Sequence, residues 1–484
     1  MPQTFVQDLR VAGRLLRKSP VFTLTAALSL AIGLGSTTAI FSLVDALLFK
    51  SRPGVADPST LVDVGRTGHG RGGFDTSSYP NYVDLRDRTT VIHLAAYRVE
   101  PVAMSFRDNG EPERIYVTMA TGSYFGVLGT RAAAGRLFRA DEDDRAARQP
   151  TIVLSDALWD RMYHRDPGAI GRSVVLNGVE TTIVGVAERG FRGTNFMAPD
   201  AWVPVGMFPV LNPGSNAMLT TRKVVWLLLI GRLNPGVSIG RAQAEIATIA
   251  RQLEQSYPDS NREMSWRVAP SSFLPGFFQA PVTAFLALLM AIVSLVLLIA
   301  CVNLAGVLMA RGTARRRELA VRVAIGAGRA RIVRQLITET LVVFAIGCAL
   351  GLLVAAWIVD ALSAIPAALP VPVLVDVTLD GRVLLFAIVL TLVSGTLSAL
   401  VPALPLSRAD LVSSLKDDGG PALVRRMRAR GVLLVAQVAL SCLLLVVAAL
   451  VARSLQRAGQ VNPGFDARNV DIISFDFSMG GYRG

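Results

Sequence analysis

Long apolar runs alternate with polar segments along the chain, and one polar segment is far larger than the others. Each apolar run is long enough for the ~20 residues that a helix needs to cross a bilayer. The runs are 21–49, 282–310, 336–359, 383–406 and 432–451. This pattern predicts an integral membrane α-helical protein with five spans. The first run is much longer than the core of a cleaved signal peptide, so we expect it to remain as a span.

The large polar region, residues 50–278, mixes strand-like and helix-like patterns. Short apolar runs at 151–154, 173–176, 179–186 and 224–230 predict strands. Asn177-Gly178 separates two of these runs and is a strong hairpin signal. Helical patterns follow at 155–164 and, after a capping Ser238, through residue 253. The region is predicted to be a mixed α+β extracytoplasmic domain, built either as one core or as two subdomains.

The first twenty residues carry apolar positions at helical spacing, with arginines on the other side. They are Phe5, Leu9, Ala12 and Leu16. We expect residues 1–20 to form a cytoplasmic amphipathic helix on the inner membrane surface. Ser19-Pro20 then predicts the capped start of span one.

The charge distribution predicts which side of the membrane each segment faces. The net charge is +13, but region 50–280 holds 26 basic and 23 acidic residues, so the surplus lies beside the apolar runs. This is the positive-inside pattern and not a nucleic-acid footprint. The N-terminus, the 311–335 segment and the basic loop 407–431 are therefore predicted inside. The domain 50–278, the short loop 360–382 and the tail 452–484 are predicted outside.

The side chains needed for common catalytic and metal sites are missing or badly spaced. A Walker A loop needs a lysine directly after a glycine, and none of the four lysines follows one. The three histidines, His69, His93 and His164, lack zinc-site spacing. The acidic run 141–144 lacks the continuation of a calcium loop, and no nucleophile elbow occurs. We therefore predict a non-enzyme without catalytic, cofactor-binding or metal-binding residues.

Two acids fall within the apolar runs, Asp45 and Glu339. Both lie near span ends, where a charge costs little. We expect them to contact headgroups or helix ends. The spans lack the repeated intramembrane charges of an ion-coupled carrier.

A series of short motifs carries a family resemblance. It begins with Arg17-Lys18-Ser19-Pro20, the run 30–41, and Ser78-Tyr79-Pro80-Asn81-Tyr82. It continues with Gly122-x-Tyr124-Phe125, Leu176-Asn177-Gly178, Gly185-Val186-Ala187 and Gly231-Arg232-Leu233-x-Pro235-Gly236. It ends with Arg316-Arg317-Glu318-Leu319-Ala320-Val321-Arg322 and Ala324-Ile325-Gly326-Ala327. In this order the chain resembles the permeases of ABC transporters of the MacB/FtsX-like family, with a MacB-like periplasmic core domain. It is most similar to the N-terminal part of the large duplicated permeases.

The resemblance implies that ATP is hydrolysed by a separate ABC ATPase subunit. It also implies that a cytoplasmic helix between spans two and three docks on that ATPase, which here is the segment 311–335. The residues implied in coupling are Arg316, Arg317, Glu318, Leu319, Arg322, Val323, Gly326 and Gly328. One departure is that the large permeases carry two copies of the span-plus-domain unit, whereas this sequence stops where a second outer domain would begin.

Two functions are weighed on these grounds. The first is a permease subunit of the mechanotransmission type, in the bacterial inner membrane, that couples a separate ATPase to a periplasmic domain for export or extrusion. Its expected partners are the ATPase, membrane lipid, and either a second permease copy or a second copy of this chain. The alternative is a membrane-anchored sensor or scaffold whose outer domain binds a partner without ATP. Nucleic acid is not expected as a partner.

Overall fold

The structure is a computed structural model. It describes residues 13–14, 17, 19–50, 53–68, 71–106, 112–142, 149–194, 197–274, 276–314, 329–364, 377–408 and 421–460. The chain divides into two compact units. One is α/β and comprises mainly Leu47–Thr283, and the other is helical and comprises mainly Met1–Ala46 together with the chain from Ala284 onward.

The described helices comprise one long helix, then seven shorter ones, then four long ones. They are α1 (Pro20–Val44), α2 (Tyr79–Arg88), α3 (Tyr124–Leu128), α4 (Asp156–Tyr163), α5 (Phe208–Leu211), α6 (Ala217–Thr220), α7 (Ile239–Ser256), α8 (Pro258–Asn261), α9 (Gly276–Ala314), α10 (Arg329–Ala364), α11 (Gly381–Arg408) and α12 (Pro421–Gly459). A π-helical turn, Asp45–Phe49, follows α1. Single 3₁₀ turns occur at Pro58–Thr60, Pro167–Ala169 and Val205–Met207.

The strands all belong to the α/β unit. They are β1 (Leu61–Gly68), β2 (Arg71–Asp75), β3 (Ile92–Phe106), β4 (Glu113–Ala120), β5 (Ala132–Gly135), β6 (Thr151–Leu154), β7 (Ser173–Leu176), β8 (Val179–Ala187), β9 (Ala201–Pro204), β10 (Leu228–Leu233) and β11 (Met264–Pro270).

All eleven strands form one mixed sheet. Its main path is β11-β1-β10-β3-β4-β9-β6-β8-β5, with β2 on β1. The short β7 pairs with both β3 and β8, so the ladder from β3 to β8 closes on itself through β7. The described strands therefore belong to a single sheet, although two subdomains were an open expectation.

Two apolar clusters hold the α/β unit together. The larger one packs α7 against the sheet through Ala242, Ile246, Ile249 and Leu253, which recur at helical spacing on one face. The smaller one is aromatic and centres on Phe125 and Trp202. Side chains from both faces of the sheet are thus buried.

Local sequence signals explain most element boundaries in this unit. The hairpin between β7 and β8 turns at Asn177 and Gly178, both of which have positive φ. Ser238 caps α7 by accepting from the backbone N–H of Arg241, as predicted. Two local predictions were wrong. The strand expected at 224–230 begins only at Leu228, because the N–H groups of Trp226 and Leu227 bond to Ser77 instead. Ser19 forms no side-chain cap on α1, although Pro20 does begin that helix.

Among the residues that the structure describes, five helices are long and apolar enough to cross a membrane. Their candidate spans are Pro20–Phe49, Phe278–Arg311, Val333–Leu362, Gly381–Leu400 and Leu434–Arg457. Leu30 and Leu34 of α1 pack with Leu297 of α9 and Phe344 of α10. The predicted fold class, five spans with a mixed α/β extracytoplasmic domain, is confirmed.

Candidate functional site

The residues predicted to couple to an ATPase lie between two spanning helices. α9 ends at Ala314 and α10 begins at Arg329. The predicted set, Arg316, Arg317, Glu318, Leu319, Arg322, Val323, Gly326 and Gly328, falls at 315–328, outside the described residues. The same holds for Phe5, Leu9 and Ala12 of the predicted amphipathic helix. The described residues next to the coupling segment are its two flanks, the end of α9 and the start of α10.

The first flank is fixed to span one by an arginine–aromatic contact. The guanidinium carbon of Arg311, near the end of α9, lies 3.6 Å from the ring centroid of Phe22 at the start of α1. A guanidinium over an aromatic face is attractive, more so where water is partly excluded. The point where the chain leaves α9 is therefore held against α1.

The second flank carries Glu339, one of the two acids predicted near span ends. Gln335 donates its side-chain amide to Glu339 Oε1 at 3.0 Å, one helical turn away. Thr338 and Thr340 donate their hydroxyls to the carbonyls of Arg334 and Leu336 in the preceding turn. These polar groups near the start of α10 are thus partnered within the helix, and the expected contact of Glu339 with headgroups or a helix end stays a prediction.

Helices α1 and α10 approach each other through glycines. A Cβ built on Gly35 would lie 2.6 Å from the carbonyl oxygen of Gly351, and one on Gly351 would lie 3.0 Å from the backbone N of Gly35. A Cβ on Gly347 would similarly lie 2.6 Å from Cβ of Leu30. Small residues let spanning helices pack backbone to backbone. The motif Gly347-x-x-x-Gly351 was readable in the sequence and indicates this kind of interface.

The far end of α1 is tied to α11 by polar contacts. Asp45 is only 3 % exposed and lies 4.0 Å from the guanidinium of Arg382. Ser42 donates its hydroxyl to the carbonyl of Thr378 at 2.9 Å. Asp380 caps α11 by accepting from the N–H groups of Arg382 and Val383.

We expected Asp45 to contact headgroups or a helix end, and it lies beside the first turn of α11. The residue is buried because the first turn of α11 covers it, and a buried carboxylate needs a nearby positive charge. Phe41 and Phe386, stacked 3.8 Å apart, pack the same two helices together. Sequence reasoning missed Arg382 because that residue fell at the edge of a predicted outer loop, far from Asp45 along the chain.

The acidic run at 141–144 is partly described. Glu142 accepts from Arg136 at 2.5 Å and from the N–H of Arg139, so its carboxylate is used within the loop. Among the residues that the structure describes, no group of three His, Cys, Asp or Glu side chains could hold a metal ion.

The spans and the sheet domain define a polytopic membrane protein with a large extracytoplasmic domain. A family model for the MacB-like periplasmic core domain matches residues 23–249, and one for the C-terminal domain of FtsX-like permeases matches residues 290–411. The chain belongs to the ABC transporter permeases of the MacB/FtsX-like family. Permeases of this family generally work with an ATPase partner.

Curated relatives support the same assignment. The ABC transporter permease YvrN of Bacillus subtilis is 24 % identical over 60 % of this chain and 68 % of its own length. The macrolide export ATP-binding/permease protein MacB of Chromobacterium violaceum is 25 % identical over 47 % of this chain. That match covers 33 % of the MacB protein, so the chain spans about a third of that relative's length.

Two solved structures resemble the α/β unit. One is the periplasmic region of MacB from Actinobacillus actinomycetemcomitans, at 12 % identity, with a TM-score of 0.34 over 49 % of this chain and 97 % of that one. The other is the extracellular domain of the ABC-type transporter YknZ from Gram-positive bacteria, at 13 % identity. Its TM-score is 0.32 over 43 % of this chain and 99 % of that one.

Proposed function

We propose that the chain is the permease subunit of a mechanotransmission ABC transporter, which couples a separate ATPase to the outer domain. The segment 311–335 docks on the ATPase, and the motion of the spans reaches the α/β domain. In this proposal the chain lies in the bacterial inner membrane, with its N-terminus inside and the α/β unit outside.

One observation carries the proposal. The arginine-rich segment is bracketed by α9 and α10, and both helices pack on α1. The chain then passes from α1 directly through the π-helical turn, Asp45–Phe49, into the α/β unit. A displacement of the segment would therefore act on α1, which continues into the α/β unit, and on α9, which continues from it.

The charge of the segment supports docking on a protein surface. Eight arginines lie between positions 311 and 334, and Glu318 stands among them. Lipid binding alone would favour uniform positive charge, at about 1 kcal/mol for each basic residue near an anionic surface. A carboxylate in the middle of this segment is better explained by a partner that also presents basic groups. In this proposal Leu319 and Val323, spaced i, i+4, bury an apolar strip against that partner, and Gly326 and Gly328 end the segment before span three.

The partner can be identified by purification. The full chain, extracted from its native cells in mild detergent, should bring down a protein with Walker motifs. Recovery of a kinase or response regulator in its place would contradict the proposal and favour a membrane-anchored sensor.

The coupling surface can be tested in the purified complex. We expect the double variant E318Q/R322Q to lower permease-stimulated ATP hydrolysis by roughly tenfold, because truncated charge pairs at an interface weaken binding strongly. The variant R262Q/E263Q makes the same chemical change at two exposed positions of the α/β unit and is the matched control. Both proteins should insert and migrate as the wild type does. Equal stimulation by wild type and E318Q/R322Q would show that the ATPase docks elsewhere.

A further inference from the structure

A groove of about 540 Å³ opens within the α/β unit. It lies where α2 ends and β3 begins, beside the short helix α3, and its lining includes Arg86, His93, Val127, Phe138 and Arg232. This volume falls within the range of roughly 300–1,000 Å³ that is common for small-molecule sites. The coupling mechanism proposed above makes no use of this groove.

Part of the groove wall is a glycine that the fold itself does not require. Gly126 sits in the middle of α3 and lines the groove. Its φ is not positive, and a Cβ added there would meet no atom within 4 Å. Glycine inside a helix costs up to about 1 kcal/mol relative to alanine. Neither backbone geometry nor packing requires glycine at position 126, and its missing side chain leaves this part of the groove wall uncovered.

A fixed positive charge forms one wall. All five N–H donors of Arg232 are used, and every acceptor is an uncharged oxygen. These acceptors are the carbonyls of Ala56, Asp57, Val127 and Leu128 and the hydroxyl of Thr60. The guanidinium is therefore held rigidly in place while its charge is not cancelled by any of these partners. Such a preorganised charge attracts an anion without donating a hydrogen bond to it.

Hydrogen-bond donors are supplied by other residues. Arg86 lines the groove, where its Nε–H donates to Asp87 and its guanidinium also contacts Tyr82, which leaves further N–H donors on the terminal nitrogens. His93 is exposed and stands directly opposite Arg232 in the β3–β10 pairing, so both side chains share one face of the sheet. The apolar part of the lining includes Ile92, Leu94, Val127 and Phe138, which are otherwise buried.

We propose that this groove binds a single-chain amphiphile with an anionic headgroup. The headgroup lies between Arg86, His93 and the charge of Arg232, and the apolar chain lies over Gly126 against Val127 and Phe138. The site is separate from the ATPase-coupling surface, so either proposal can fail without the other.

Photolabelling of the full-length protein tests the proposal. The probe is dodecanoate carrying a diazirine in its chain, added to the detergent-solubilised protein, and the labelled peptides are mapped by mass spectrometry. The corresponding dodecanol diazirine has the same chain without the charge, so it reports partition into the micelle and the spans. We expect dodecanoate to label peptides that contain residues 86–94 and 122–140 at least about fivefold more than the alcohol does. Unlabelled dodecanoate and dodecyl phosphate are compared as competitors, to show whether a carboxylate or a phosphate headgroup is preferred.

Two substitutions separate charge from shape. R86Q should weaken labelling of these peptides by roughly tenfold, because a charge-assisted hydrogen bond is lost. Its matched control is R88Q, since Arg88 lies on the same helix but pairs with Asp84 and does not line the groove. G126L should abolish labelling by filling the groove, whereas G126A adds a single carbon and should retain most of it. G126A also shows whether substitution at this helical position is tolerated by the fold.

Three results would overturn the proposal. They are equal labelling of the groove peptides by the acid and the alcohol, labelling confined to the spans, and labelling of a folded G126L protein at the wild-type level.

Discussion

Glu100 shows how burial of one side chain makes the stability of the outer unit depend on pH. Burial raises the pKa of Glu100 above its ordinary value of 4.5, and the neighbouring Arg98 offsets only part of this effect. A carboxyl group whose pKa is raised by folding contributes stability that is fully present below the unfolded pKa. That stability is lost as the pH rises through the folded pKa.

We therefore predict that E100Q changes the pH dependence of unfolding in a defined direction. Its thermal midpoint relative to the wild type should be higher at pH 7 than at pH 4, because glutamine has no charge to bury. Four of the five tryptophans lie in the α/β unit, at positions 159, 202, 226 and 266, so intrinsic fluorescence reports its unfolding. The exposed E263Q serves as control and should follow the wild-type curve. A difference between E100Q and wild type that stays constant from pH 4 to pH 7 would contradict the assignment.

The contact between buried Asp45 and exposed Arg382 could not be predicted from either residue alone. The sequence placed Asp45 near the end of a span, which is where the structure has it. It could not show that Arg382, more than three hundred positions later, would lie beside it, because that contact depends on which helices are neighbours. Ser19 is a local prediction that was wrong. Its side chain fits the N-cap pattern of α1 but makes no capping bond.

At the level of elements, the lengths of the apolar runs predicted five spans. Which spans contact each other was seen only in the structure. Hydrophobic length identifies a span because bilayer thickness is fixed. It does not reveal which helices touch, since lipid and a neighbouring helix are equally apolar. The spacing of Gly347 and Gly351 indicates a close helix interface, but only the structure shows that the partner is α1. Strand β10 was placed too early in the sequence for a similar reason, since Ser77 takes up the backbone bonds of Trp226 and Leu227.

The close approach of α1 and α10 gives a prediction at this scale. G351L places a branched side chain where even a Cβ would lie 3.0 Å from the backbone N of Gly35 and 3.1 Å from the carbonyl oxygen of Ala31. We expect the free energy of unfolding to fall by roughly 1–3 kcal/mol, since overpacking forces the backbones apart. The measurement is the fraction of full-length protein that stays monodisperse in size-exclusion chromatography after heating.

G306L is the matched control for this substitution. Gly306 lies inside α9, another spanning helix, and a Cβ there meets no atom within 4 Å. G306L should lose far less stability than G351L does. If both variants lost the same amount, the effect would come from leucine in a span and not from the contact between α1 and α10.

For the whole molecule, the resemblance carried by the motif series predicted the family, which the domain matches confirm. The sequence did not predict the architecture of the α/β unit. Several of its strands were predicted from short patterns, but β7 closes part of the sheet by pairing with β3, whose paired residues lie some seventy positions earlier. Pairings at that distance depend on topology, which local sequence does not encode. The coupling residues Arg316 to Gly328 rest on the motif series and on the two flanks that the structure describes.

The proposed orientation gives the last prediction, and it can be measured in cells. In a background with Cys301, Cys348 and Cys442 replaced by alanine, R262C places one thiol on the exposed surface of the α/β unit and R316C places one in the coupling segment. A membrane-impermeant maleimide should label R262C in intact spheroplasts and R316C only after the membrane is permeabilised. This follows because the basic segments stay on the cytoplasmic side during insertion. Labelling of R316C in intact spheroplasts would reverse the topology and place the coupling segment where no cytoplasmic ATPase could reach it.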